Sequence, residues 1–301
     1  MANARLQVAV MGAGAVGCYF GGMLARAGHD VTLIGRPEHV EAISRDGLHM
    51  ETRTFDEQVR VEASSDPAAA DGAQLVLFCV KSGDTESAGQ QIAPYVGNDS
   101  VVLCLQNGCD NDHRLRGVLT GPEVAAAVVF LGSEMCGPGM VRHHGSGELV
   151  IGPIRTIHGL ARIFEAAAVP TRVSDDVRGA LWQKLIINCS YNAISALGRK
   201  TYGQMVPSPG VQDVMRDIVD ECLAVAAAEG IDVPGDVHGA VRRIVETIPQ
   251  QYSSTAQDVL RGKPTEIDYL NGHIVRRGKA LGISTPANQV LWAMVKLIEA
   301  T

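Results

Sequence analysis

No stretch of this 301-residue chain approaches the run of about eighteen apolar residues that a membrane-spanning helix needs. Met1 to Gln7 also lack the apolar run of a signal peptide, so a cytoplasmic protein is expected. A surplus of positive charge is missing as well. The formal net charge is -7 and the pI is near 5.7, which argues against nucleic acid or an anionic membrane surface as the main partner. Any bound anion must then be held by local positive charge. The seven cysteines (Cys18, Cys79, Cys104, Cys109, Cys136, Cys189, Cys222) include no CxxC pair, so reduced and mostly buried thiols are expected. His143-His144 is the one adjacent histidine pair, and it lacks ligand-spaced cysteines or carboxylates; it reads as a hairpin or surface feature, and no metal site is expected. There is no internal repeat and no low-complexity tract.

What is present starts with a strand that runs into a glycine turn. Val8, Ala9, Val10 and Met11 form a short buried strand, Gly12-Ala13-Gly14-Ala15-Val16-Gly17 follows, and Val16 to Ala27 is amphipathic. Strand, GxGxxG and helix in that order point to a dinucleotide. Gly12 permits the tight turn, Gly14 lets the backbone approach a pyrophosphate, and Gly17 lets the helix pack on the strand. The helix N-terminus supplies amides to the phosphates. A further absence then selects the cofactor. After the second strand, Val31 to Ile34, an NAD enzyme usually carries Asp or Glu, which bonds the ribose hydroxyls and repels a 2′-phosphate. Here Gly35 and Arg36 stand in that place, and the planar guanidinium suits a phosphate. NADPH is the expected cofactor.

The length accommodates two domains. Over residues 1–173 strand-like runs alternate with helical patterns, as a Rossmann-type doubly wound parallel α/β sheet requires. Leu75 to Val80 and Val101 to Leu105 read as buried strands, Leu48 to Glu51 and Val59 to Glu62 as an edge hairpin, and Val124 to Leu131, Gly139 to His144 and Glu148 to Ile151 as further strands. From Ser174, a candidate cap, residues 174–301 read as an all-helical domain. Its helices are expected over Asp213 to Glu229, Asp236 to Thr247, from a Thr265 cap with Asp268 as capping-box partner to Gly282, and from Thr285-Pro286 onward.

Two clusters in the second half carry chemistry. Lys184, Asn188 and Asn192 recur every four residues, which on a helix stacks one ammonium and two amides along one face. Mid-helix asparagines compete for the backbone, and among neighbours such as Leu181, Leu185 and Ile194 they suggest a cleft wall. About seventy residues later come Ser253-Ser254, Asp258 and the run Thr265-Glu266-Ile267-Asp268-Tyr269-Leu270-Asn271-Gly272. Glu266 is expected in the first helical turn, where amide dipoles keep a carboxylate ionised.

Taken together, the glycine turn at 12–17, Val80-Lys81-Ser82, Leu105-Gln106-Asn107-Gly108, the Lys184/Asn188/Asn192 helix and the 265–272 run resemble the ketopantoate reductase (2-dehydropantoate 2-reductase) family, in order and over essentially the whole chain. The resemblance implies NADPH-dependent reduction of ketopantoate to (R)-pantoate on the way to coenzyme A, with a Rossmann domain, a helical domain and an active site between them. It also implies that Arg36 and Lys81 contact the adenosine 2′-phosphate end and that Asn107 lies near the nicotinamide half. Lys184 would be the general acid, Asn188, Asn192 and Ser254 the substrate-holding residues, and Glu266 the group that fixes substrate and orients the lysine.

Two departures from the family bear on substrate identity: Cys109-Asp110-Asn111-Asp112-His113 after the Asn107-Gly108 turn, and a small Thr255-Ala256 pair after Ser254, which would widen a pocket. Another 2-oxo acid is therefore an alternative substrate. A hydroxyisobutyrate- or imine-reducing enzyme of similar layout and a non-catalytic NADPH-binding regulator are the more distant readings. The apolar faces of Val211 to Ala228 and Val290 to Ile298 suggest a homodimer through the helical part.

Overall fold

Along the first strand, Val8 and Val10 point into one apolar core while Ala9 and Met11 point into another. A strand covered on both faces needs apolar residues at every position, which is why the run is unbroken rather than alternating. The computed structural model describes residues 5–299, so the part of the N-terminal expectation that falls on residues 1–4 lies outside the described residues, as do 300 and 301.

The order is β1 (Gln7–Met11), α1 (Ala15–Arg26), β2 (Asp30–Ile34), α2 (Pro37–Asp46), β3 (Leu48–Glu51), β4 (Asp56–Val59), β5 (Glu62–Ser64), β6 (Leu75–Phe78), α3 (Thr85–Ile92), β7 (Val101–Cys104), α4 (Asn111–Arg116), β8 (Glu123–Gly137), β9 (Met140–Ile151), α5 (Leu160–Ala166) and β10 (Thr171–Val173). The strands lie in the order β4-β3-β9-β8-β7-β6-β1-β2-β5, with β10 beside β9. From β5 to β8 the pairings are parallel. Cys18, Phe20 and Leu24 of α1 pack on one face, and Ala88 and Ile92 of α3 with Leu115 of α4 on the other. The strand order reverses at β1, so the crevice for a ligand lies at the carboxyl ends of β1 and its neighbours.

Several boundaries differ from expectation. The edge hairpin pairs Leu48–Glu51 with Asp56–Val59, not with Val59 to Glu62; Glu62–Ser64 crosses to the opposite edge and pairs with β2. The strands expected at Gly139 to His144 and Glu148 to Ile151 are one strand, β9, paired antiparallel to β8 through register shifts that absorb the intervening glycines. His143 and His144 lie on it, bonded to the Ser146 carbonyl and to Glu134.

The chain divides into two compact units, residues up to Val177 and from Arg178 on. Ser174 accepts from the Asp176 amide in a local turn, and the helix α6 (Val177–Gly198) starts beyond it. Then come α7 (Tyr202–Met205), α8 (Val211–Ala228), α9 (Val237–Thr247), α10 (Ser254–Leu260), α11 (Asn271–Leu281) and α12 (Pro286–Glu299). Asp236 caps α9 by accepting from the Gly239 amide at 2.8 Å, and Gly230 and Gly282 follow α8 and α11 in the left-handed region, at φ 70 and 71.

The helix expected from Thr265 is broken. Thr265 donates its amide to Glu299 and accepts from the Ile267 amide, Ile267–Tyr269 forms a single 3-10 turn, and α11 restarts at Asn271. Asp268 is no capping partner, because its carboxylate takes the Trp292 indole at 2.7 Å and the Lys296 ammonium at 2.9 Å.

Candidate active site

In the first unit the three glycines of the turn act differently. A Cβ on Gly12 would lie 2.7 Å from the Val80 amide nitrogen, and one on Gly17 would lie 2.2 Å from the Gly12 carbonyl oxygen, so both are packing requirements. A Cβ on Gly14 would meet nothing within 4 Å, so this side of the turn is open. Gly14 is also the N-cap of α1, whose first turn carries no acidic residue. The positive end of the helix dipole is thus uncompensated where a phosphate would sit. Gly12 and Ala13 donate their amides to the Ile34 carbonyl at 2.9 and 3.0 Å, so they shape the turn, and the amides of Ala15, Val16 and Gly17 begin the helix. These residues fit a dinucleotide pyrophosphate.

At the end of β2, a Cβ on Gly35 would come within 2.6 Å of the Ala13 Cβ, so no carboxylate-bearing side chain fits there. Arg36 follows with its side chain 67% exposed, 3.6 Å from Glu38. Lys81 and Asn107 lie in the loops that follow β6 and β7, and the structure ties these loops together: Ser82 donates its hydroxyl to the Asn107 carbonyl at 2.9 Å. Burial raises the Cys18 thiol to about 12 and pushes Cys79 and Cys104 up as well, which disfavours their thiolates.

In the second unit, α6 presents Lys184, Asn188 and Asn192 along one face, with Trp182, Leu185, Ile186 and Cys189 buried around it. Lys184 is only partly accessible, and burial pulls its ammonium down to about 8, against an opposing pull from the Glu266 carboxylate. Glu266 stands before a 3-10 turn rather than inside a helix, and its charge raises the Lys184 ammonium against the effect of burial. Ser253 fixes the start of α10 against α6: its hydroxyl donates to the Asn192 carbonyl at 3.1 Å and accepts from the Ala256 amide. That sets Ser254 beside Asn192, whose amide donates to the Ser254 hydroxyl at 3.4 Å. Asn188 shares the face without joining these bonds. Thr255 and Ala256 are fully buried, so their small size is taken up in packing and does not open a pocket.

Sequence reasoning named Gln106, Asn111 and Asn271 within its motifs but did not foresee the buried polar groups behind both sets. Thr85, Gln106 and Asn111 are buried behind Lys81 and Asn107, and Asn271 and Asn288 behind α6. Thr85 and Asn111 stand between charged neighbours, Asp84-Thr85-Glu86 and Asp110-Asn111-Asp112, so sequence alone assigns them to the surface.

Comparison with known proteins adds an independent line. The family model described as "Ketopantoate reductase PanE/ApbA" matches residues 8–156, and "Ketopantoate reductase PanE/ApbA C terminal" matches residues 176–299. The 2-dehydropantoate 2-reductase of Pyrococcus abyssi is 32% identical over 300 residues and 98% of each chain, and that of Halobacterium salinarum 32% over 301 residues. A crystal structure of a PanE/ApbA family ketopantoate reductase from Ralstonia eutropha JMP134 is 61% identical with a TM-score of 0.95, covering 98% of this chain and 99% of that one. The ternary structure of D-mandelate dehydrogenase with NADH and anilino(oxo)acetate is 27% identical with a TM-score of 0.91 over 98% of this chain and 99% of that one.

Proposed function

This chain belongs to the ketopantoate reductase family, and from that premise we propose that it reduces ketopantoate to (R)-pantoate with NADPH, as a cytoplasmic enzyme of coenzyme A biosynthesis. Relatives and structural neighbours support a nicotinamide cofactor and an oxidoreductase. Among the described residues no helix is long and apolar enough to cross a membrane. The choice of NADPH is our reading of Gly35 and the exposed Arg36. In that reading residues 1–173 hold the cofactor, with Arg36 and Lys81 at its 2′-phosphate end and Asn107 at its nicotinamide half, and residues 174–301 hold the substrate.

The observation that carries the proposal is Lys184, a partly buried ammonium at about 8, coupled to Glu266 and aligned with Asn188 and Asn192. The bound cofactor supplies a hydride to the ketone carbon. The negative charge that develops on the substrate oxygen is met by the Lys184 ammonium, which then delivers its proton to that oxygen. Desolvation makes the ammonium a better acid than a free lysine, and Glu266 keeps it protonated near neutral pH. Asn188, Asn192 and Ser254 bind the substrate carboxylate and hydroxyl-bearing end without adding charge, each charge-assisted bond being worth about 1.5–3 kcal/mol.

The test is the loss of reduced-nicotinamide absorbance with NADPH or NADH, against ketopantoate and a panel of branched, straight and aryl 2-oxo acids. Fast, NADPH-selective turnover of ketopantoate is expected. The likeness to a D-mandelate dehydrogenase favours an aryl 2-oxo acid as the second reading, and turnover confined to the aryl member establishes it. In the same proposal a second copy of the chain docks on α12, where Val290, Met294 and Leu297 are exposed. Light scattering showing a monomer at assay concentration refutes that assembly.

A further inference from the structure

Behind the loops that follow β6 and β7 lies a buried hydrogen-bonded cluster centred on Asn111, the first residue of α4. Asn111 uses its full capacity. Its amide nitrogen donates to the Asn107 carbonyl at 2.5 Å and to the Ser82 hydroxyl at 3.2 Å. Its amide oxygen accepts from the Thr85 hydroxyl and from Arg114, each at 3.0 Å. Gln106 donates to Thr85 at 2.8 Å, and Glu86 holds the Arg114 guanidinium at 2.7 Å. Asn111, Ser82, Thr85 and Gln106 are all at least nine-tenths buried. A group this buried, satisfied on all four sides, has one rotamer, and whatever it grips is held with it.

What it grips is the peptide between Asn107 and Gly108. The Asn107 carbonyl accepts from both Ser82 and Asn111, and Gly108 takes the left-handed region at φ 96. With that plane fixed, the partly accessible Asn107 side chain leaves the carboxyl end of β7 in a set direction. In a doubly wound sheet the two halves of a dinucleotide lie on opposite sides of the point where strand order reverses. Here β1 and β2 take the adenosine half, and the β7 side of the sheet faces the nicotinamide half. The Lys81 turn carries a bond of its own outside this cluster, the Asp84 amide donating to the Lys81 carbonyl at 2.8 Å.

We propose that Asn111 is a positioning residue for the cofactor: by clamping the Asn107 carbonyl it aims Asn107 at the nicotinamide half of the dinucleotide, without a role at the adenosine half. This rests on the reading of the first unit as the cofactor-binding unit.

Asn111→Asp keeps the shape and the acceptor toward Arg114 but removes both N–H donors. Calorimetric titrations of the full-length protein with NADPH and with 2′,5′-ADP, a probe of the adenosine half alone, separate the possibilities. The expected result is NADPH binding weakened tenfold or more, 2′,5′-ADP binding within twofold of wild type, and a lower kcat with little change in KM for the oxo acid. Ser82→Ala, which removes one of the two donors to Asn107, is expected to give a smaller loss with the same selectivity, and it keeps the test open should Asn111→Asp fold poorly. Equal loss of both ligands with a fall in Tm makes the cluster merely structural and overturns the proposal, as does unchanged NADPH binding in both variants. A wild type that takes NADH instead refutes the NADPH reading, and NADH against ADP then decides Asn111 by the same comparison.

Discussion

Lys184 illustrates how one residue's surroundings set its chemistry. Lys184→Ala is expected to lower kcat by about 10²–10⁴-fold, the usual worth of a positioned acid, while NADPH affinity stays within a few fold; turnover close to wild type removes Lys184 from its role. As an acid the lysine must be protonated, so kcat/KM for reduction is expected to hold below about 8 and fall above it. Glu266 opposes the effect of burial by raising this value, so Glu266→Gln should move the falling limb to lower pH. An unmoved limb in that variant uncouples the pair. For Arg36→Ala, initial-rate kinetics should show KM for NADPH rising far more than KM for the oxo acid; equal rises point to a folding defect. The three-residue stripe on α6 was legible in the sequence because helical periodicity alone puts residues four apart on one face. The lowered ammonium was not, since it depends on burial and on Glu266, distant in sequence.

At the scale of elements, α6 is held by a chain of buried amides. Asn271 donates to the Cys189 carbonyl at 3.1 Å and to Asn288 at 2.9 Å, and Asn288 donates to Glu221, whose carboxylate also takes the first amides of α12. Four helices, α6, α8, α11 and α12, meet through these bonds. Asn271→Ala leaves acceptors in this buried network without their donor and should cost about 1–3 kcal/mol, read as a lower urea midpoint with an unchanged m-value. An unchanged midpoint would show the bonds to be replaced by water. Helix stops at Gly230 and Gly282 and the Asp236 cap were readable from local chemistry. The start of α11 was not. Thr265, Glu266 and Asp268 spell a plausible helix entry, but Glu299, Trp292 and Lys296, from another helix, take Thr265 and Asp268 away.

For the whole molecule, the chain divides into two compact units, and in our proposal the groups that hold the dinucleotide lie in the first. NADPH added alone should therefore slow amide hydrogen exchange over residues 12–17 and 105–111, and protection confined to residues 178–299 would contradict the assignment of the cofactor to the first unit. With a net charge of -7 any anion must be drawn by local positive groups, which in our proposal are the Lys184 ammonium, Arg36, Lys81 and the uncompensated first amides of α1.

By itself the sequence determined the parallel strands of the first unit, the turn that ends β1, and the face of α6. Each follows from local rules: unbroken apolar runs for strands buried on both sides, glycine where a Cβ would strike backbone, and a period of 3.6 for the helix. Only the tertiary structure decided that Glu62–Ser64 joins β2, that β9 is one bulged strand, that burial lowers the Lys184 ammonium, and that Asn111 grips Asn107. Each of these joins residues whose pairing costs chain entropy and is repaid by burial and hydrogen bonds formed only when the whole core closes.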